Sequence, residues 1–282
     1  MNDIGIAGIL IIIANVITSL SAFQNRNIFN SFSFDVGEIL GKKDYKRMFS
    51  SGFIHLDYAH LIMNMLSFYF FAGIVESLLG TIPFFMVYFG SLLAGNFLSL
   101  WINKSNSFYR AVGASGAVSG IIFAALVIDP GMEILLFFAI PLPGWAFALG
   151  FVAYSIFGMR NKRDNIGHDA HLGGAIFGLF LALYFKPSML FENTLPIILA
   201  GVPSLIYLAL LIFGIDLGKP NSLKIKIPKK TEKPEYYDVE DYYREKKKNK
   251  EIELNRLLEK VGSTGIDSLS KKEKENLDEL SK

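Results

Sequence analysis

Runs of about 20 predominantly apolar residues recur along this chain, and their length fixes its class. An α-helix rises 1.5 Å per residue, so a run of about 20 matches the roughly 30 Å hydrocarbon core of a bilayer. Apolar residues make up 51% of the 282, and the mean hydropathy is +0.36, which is too greasy for an ordinary soluble domain with one core. Blocks at about 4–23, 58–79, 82–101, 111–128, 133–157 and 169–185 read as six spans. A seventh, at about 195–217, contains Pro203, which a membrane helix tolerates because neighbouring groups satisfy the freed carbonyl. The first block follows Asp3, with no basic leader and no small-residue cleavage pattern, so it reads as a retained span. The expected fold is an all-α, multi-pass membrane protein with a six-helix core and a seventh transmembrane helix.

Charge is concentrated at one end. Of the 28 basic residues, 17 lie in the last 64 positions together with 14 acidic ones, which marks a solvated tail. Residues 218–250 read as a charged linker and 251–282 as a short helical hairpin, with Ser270 and Glu273 at capping-box spacing. Nothing in the tail identifies its partner. Residues 24–57 are too polar to span and read as an interfacial loop. A net charge of +2 gives no reason to expect nucleic acid, and the absence of cysteine removes thiolate nucleophiles, thiolate metal sites and disulfides.

An ionisable or amide side chain inside a span is costly, so by default it faces the bundle interior and serves a function. His60 and Asn64 stand four apart on one face of the second span. Ser115, in Gly113-Ala-Ser-Gly116, opens the fourth span, where unpaired helix N–H groups favour negative charge. His171, in Gly167-His-Asp-Ala-His-Leu-Gly-Gly174, opens the sixth, at similar depth if the two helices run parallel. Gly116 and Gly120 on one helix and Ala170, Gly174 and Gly178 on the other allow close approach. A serine needs a base within reach, and His171 is the candidate in register, which gives a Ser115/His171 dyad. The oxyanion is expected on the Ser115 N–H with donors from His60 and Asn64. Asp169, two positions from His171, lies on a different helix face and is left out of a triad. His55 and Asp57 are expected to ring a water cavity, with His55 and His168 as rim residues. No metal site is expected, because four histidines without H-E-x-x-H or cysteine make a thin ligand set. The chemistry implies no cofactor.

The segments from Phe53 through His60 to Asn64, Gly113-Ala-Ser115-Gly116 and Ala170-His171-Leu-Gly-Gly174 resemble, in order and spacing, the motifs of the rhomboid family of intramembrane serine proteases. With its seventh span and charged tail the chain is most similar to the bacterial type. The resemblance covers about 44–185. It implies a six-helix rhomboid core, a serine endopeptidase with a Ser115/His171 dyad, oxyanion contacts from His60 and Asn64, and transmembrane proteins as substrates within a lipid bilayer. It also implies supporting roles for Gly113, Gly116, Gly174, Arg47 and Glu76. One position departs from the pattern: the residue four after the serine, often an aromatic packed on the histidine, is Ser119. The expected location is the cell membrane. A catalytically silent relative that binds transmembrane clients is the alternative, disfavoured because both Ser115 and His171 are present. A transporter would show internal repeats with interrupted helices, and none is visible. The loops after spans one, three and five hold ten Lys/Arg against one, Lys186, in the others, which argues for odd loops inside, whereas the resemblance implies a site facing away from the cytoplasm.

Overall fold

The computed structural model describes residues 3–129, 131–136, 140–161 and 166–215, together with residues 254, 257, 260, 261, 269, 270, 273, 274 and 277 of the tail. Two units form, residues 1–220 and 221–282.

The first unit is an all-α membrane protein. Helices α1 (Ile6–Gln24), α5 (Tyr58–Leu79) and α6 (Thr81–Asn103) are long and apolar enough to cross a bilayer. The segment between α1 and α5 is more structured than an interfacial loop. It holds α2 (Arg26–Phe32), β1 (Phe34–Asp35), α3 (Val36–Gly41) and α4 (Arg47–Ser50) around a small core of Phe34, Val36, Ile39 and Leu100. Strand β1 pairs with β2 (Arg110–Ala111) on the far side of α6, and Arg110 Nε meets Asp35 Oδ2 at 2.6 Å across the pair. Buried Arg47 binds Asp44 (2.9 Å) and the carbonyls of Asn30 (2.6 Å) and Ser33 (3.0 Å). Lys42 pairs with Glu38 at 2.9 Å. Of the basic residues counted in the odd loops, Lys42, Arg47 and Arg110 thus have acidic partners within the fold.

Glu76 closes α1 from a distance. Its two carboxylate oxygens accept from the N–H groups of Ala7 (3.2 Å) and Gly8 (3.1 Å), donors that a helix start leaves without intrahelical partners.

Helix α7 (Ser115–Ile128) is the hub, and each of its residues after Ser115 is buried. It packs on α5, α6 and α9 (His168–Phe185). With 14 residues it is about 21 Å long, short of a bilayer. Its Gly120 lies level with Ser91 of α6, its antiparallel neighbour. From that level α6 runs 12 residues to Asn103, about 18 Å, while α7 reaches back five residues to Ser115, about 8 Å. Ser115 is therefore recessed by about 10 Å below the end of α6.

The span expected at 133–157 is corrected. Strands β3 (Glu133–Leu136) and β4 (Ile140–Pro143) form an antiparallel pair, and α8 (Gly144–Asn161) begins only after them. Pro141 and Pro143 remove helix donors and hold the residues before them extended. The expected 111–128 span starts in β2, with the helix proper from Ser115. After α10 (Met189–Glu192), α11 (Thr194–Ile212) packs on α8 and α9.

In the second unit Ser270 N donates to Glu273 Oε2 (2.9 Å) and Glu273 N to Ser270 Oγ (3.3 Å), a reciprocal cap. Its described residues 254, 257, 260, 261, 273, 274 and 277 are helical. The linker expected at 218–250 lies outside the described residues.

Candidate active site

Ser115 is the first residue of α7 and His171 the fourth of α9, and both are half-buried. The two helices start side by side. A Cβ on Gly116 would lie 3.3 Å from the carbonyl oxygen of Ala170, so the residue after the serine and the residue before the histidine face each other. Deeper in, Cβ atoms on Gly174 and Gly178 would overlap the carbonyl oxygens of Gly116 and Gly120. Backbone touches backbone along this seam, which no larger side chain would allow.

The turn before Ser115 is built to expose it. Gly113 has φ +124, a conformation that disfavours any residue with a Cβ, and its N–H donates to the Ser51 carbonyl at 2.9 Å. A Cβ there would stand 2.7 Å from His60 Cε1 and 3.8 Å from Ser115 Oγ, so the imidazole and the serine hydroxyl flank the same glycine. His60 Nδ1 accepts from the Leu56 N–H at 3.4 Å, which in the neutral ring leaves the proton on Nε2, the nitrogen beside Gly113. Asn64 is buried one turn along α5 and donates one N–H to the His60 carbonyl at 2.9 Å, with its second N–H left for another acceptor. The first N–H groups of α7, including that of Ser115, complete a set of donors around the serine.

His55 and His168 are not rim residues; they are 0% and 3% exposed. The expected water cavity ringed by His55 and Asp57 is corrected accordingly. His55 accepts the Ala114 N–H on Nε2 (3.4 Å) and pairs through Nδ1 with Ser19 (2.9 Å), linking α1 to the serine turn, while Asp57 caps α5 through the His60 N–H (2.7 Å). Burial first, and the His60 ring second, lower the His55 pKa from its ordinary 6.5 to about 3. A histidine kept neutral in the fold stabilises it fully above the unfolded pKa and progressively less as pH falls from 6.5 toward 3. Thermal unfolding followed across that window is expected to show a steeper acid loss for the native chain than for His55→Gln, by up to about 1.4 kcal/mol per pH unit.

Ser119 cannot brace His171, because its hydroxyl donates to the Ser115 carbonyl at 2.7 Å. The aromatic comes from another helix: the Phe151 ring of α8 lies 6.1 Å from the His171 ring at 32° and 5.3 Å from Phe123 of α7. Sequence reasoning missed Phe151 because nothing in one sequence pairs α8 with α9. If His171 is the base that the motifs imply, Phe151→Ala should lower kcat about tenfold with little change in KM, and Phe151→Tyr should stay near native, since a small misplacement of a reacting group is costly.

The Rhomboid domain family matches residues 42–188, and a family of unknown function (DUF6576) matches 237–282. Rhomboid protein 1, mitochondrial, of Saccharomyces cerevisiae is 32% identical over 160 residues, 54% of this chain and 46% of the yeast protein. RHOMBOID-like protein 12, mitochondrial, of Arabidopsis thaliana is 25% identical over 185 residues, covering 60% of this chain and 55% of its own. Presenilin-associated rhomboid-like protein, mitochondrial, of Homo sapiens is 28% identical over 158 residues, covering 54% and 40%. The chain thus spans about half the length of the curated relatives it matches. These relatives are named as mitochondrial proteins of eukaryotes, which overturns the expected cell-membrane location and lends no support to the bacterial-type detail. With just over half of its residues inside the family match, on top of the motifs and the paired α7 and α9, the chain belongs to the rhomboid family.

Proposed function

We propose that this chain is an intramembrane serine endopeptidase that cleaves transmembrane segments of other membrane proteins. The observation that carries the reading is the seam between α7 and α9, which starts both helices side by side with a half-buried serine at the head of one and a half-buried histidine in the first turn of the other. In this reading Ser115 Oγ attacks the scissile carbonyl while His171 takes its proton. The tetrahedral oxyanion is held by the Ser115 N–H, by His60 Nε2–H and by the second N–H of Asn64, donors aimed at charge that develops only in the transition state. His171 then protonates the leaving amine, and water, deprotonated by the same imidazole, hydrolyses the acyl-serine. Arg47 and Glu76 act at a distance, tying down the segment before α5 and the start of α1. The names of the relatives favour a mitochondrial membrane as its bilayer.

The test is reconstitution of the purified chain with a single-span substrate, mapping of products by mass spectrometry, and labelling with a fluorophosphonate. Cleavage in or beside the span together with labelling at Ser115 is expected. A chain that cuts none of several substrates and ignores the probe is a client-binding relative instead.

A further inference from the structure

Asp169 is buried, 7% exposed, on the second residue of α9, and the chemistry above makes no use of it. Burying a carboxylate is costly unless it is well satisfied. Here Oδ2 accepts from Asn103 Nδ2 (2.6 Å) and Ser99 Oγ (3.1 Å), and Oδ1 accepts from the Tyr109 hydroxyl (3.3 Å) and the Ala170 N–H (2.9 Å). Ser99 and Asn103 stand four apart on one face at the end of α6, and Tyr109 sits in the connection that leads on to Ser115. Burial and the neighbouring carboxylate both raise the Tyr109 pKa, so the phenol stays a donor.

Near its start α9 meets α6 and α7 through small residues, while farther along Phe177 packs into the notch at Gly90 of α6. Gly174 and Gly178 meet the backbone of α7, and on the other side Gly173 lies against Gly95 and the Leu98 side chain of α6. Small residues bring helices close but supply few knobs to resist sliding along the axis. Directional bonds at this end can hold the register where the contacting residues are small.

We propose that Asp169 is a positioning residue for His171: its carboxylate, gripped by α6 and by the connection to Ser115, fixes the axial register of α9 and so the height of the imidazole relative to the serine. The catalytic significance rests on the protease reading, but the register does not, and the two can be tested apart.

The chain has no cysteine, so a Ser115→Cys/His171→Cys pair reports the proximity of the two positions without any need for activity. Joining of this pair by a short bifunctional thiol reagent is expected to slow about tenfold when Asp169→Ala or Asp169→Asn is added, because contacts within one network are strongly coupled. In the swapped variant Asp169→Asn/Asn103→Asp the donor and acceptor exchange places, and the rate should return to within about threefold of the parent pair. Tyr109→Phe removes a single donor and should slow it by about threefold, which keeps the test open if Asp169→Ala does not fold. In the cysteine-free chain the same variants should lower kcat and leave KM nearly unchanged, with the swap restoring kcat. Cross-linking at the parent rate in both Asp169→Asn and Tyr109→Phe overturns the proposal, as does a swap that restores thermal stability but not cross-linking. Cross-linking that depends on Asp169 in a chain that never cleaves sinks the protease reading alone.

Discussion

Ser115→Ala and His171→Ala are each expected to lower cleavage by about 10⁴-fold or more, because removing either member of the proposed nucleophile–base pair removes the covalent route and leaves only the donors. The double variant should be no worse than either single one if the two groups act as a unit. Thermal stability is the control that gives this result meaning. Both side chains are half-buried at helix starts, outside the cluster of buried residues, so their truncation leaves no sealed cavity. Unfolding midpoints should stay within about 2 °C of native, the ordinary scatter of substitutions away from a core. Cleavage assays with the native chain as reference decide the matter. A Ser115→Ala chain that keeps more than about 1% of native activity has another nucleophile, since losses of that small size are typical of a supporting donor.

Much of this site was legible in the sequence because each partner lies on a helix whose face follows from spacing alone. His60 and Asn64 at i and i+4, and the glycines at i and i+4 on α7 and on α9, announce their faces before any coordinates exist. Three things were not legible, each for a physical reason. The 133–157 block is continuously apolar, and an apolar run does not distinguish a buried strand from a helix; Pro141 and Pro143 were the available signal, and they decide it. Phe151 reaches His171 through tertiary packing of α8 that no periodicity encodes. The buried state of His55 and His168 depends on what packs over them: Ser19 and the Ala114 N–H in one case, Tyr154 at 4.9 Å between ring centroids and Gly158 in the other.

Gly174→Val is expected to abolish cleavage and cost on the order of 3 kcal/mol of stability, at the upper end of the usual range for an overpacked interior. The added Cβ would lie well inside contact distance of the carbonyl oxygen of Gly116 and 2.8 Å from its carbonyl carbon, a severe overlap. These are backbone atoms of the helix that carries Ser115, so no rotamer change relieves the overlap, and α7 and α9 must move apart. His171 sits three residues before Gly174 on the same helix, so any separation at Gly174 is passed almost undiminished to the distance between base and nucleophile. Activity should therefore fail even in lipid conditions where the variant remains folded, which separates misplacement from unfolding. Gly150 on α8 is the matched control: a Cβ there meets nothing within 4 Å, and Gly150→Ala should leave activity unchanged and raise stability by about 0.5–1 kcal/mol through helix propensity alone. Thermal unfolding and cleavage measured side by side on the two variants test the seam. Native-like cleavage by Gly174→Val would mean that α7 and α9 are not in backbone contact in the membrane, and the geometry that brings serine to histidine would have to come from elsewhere.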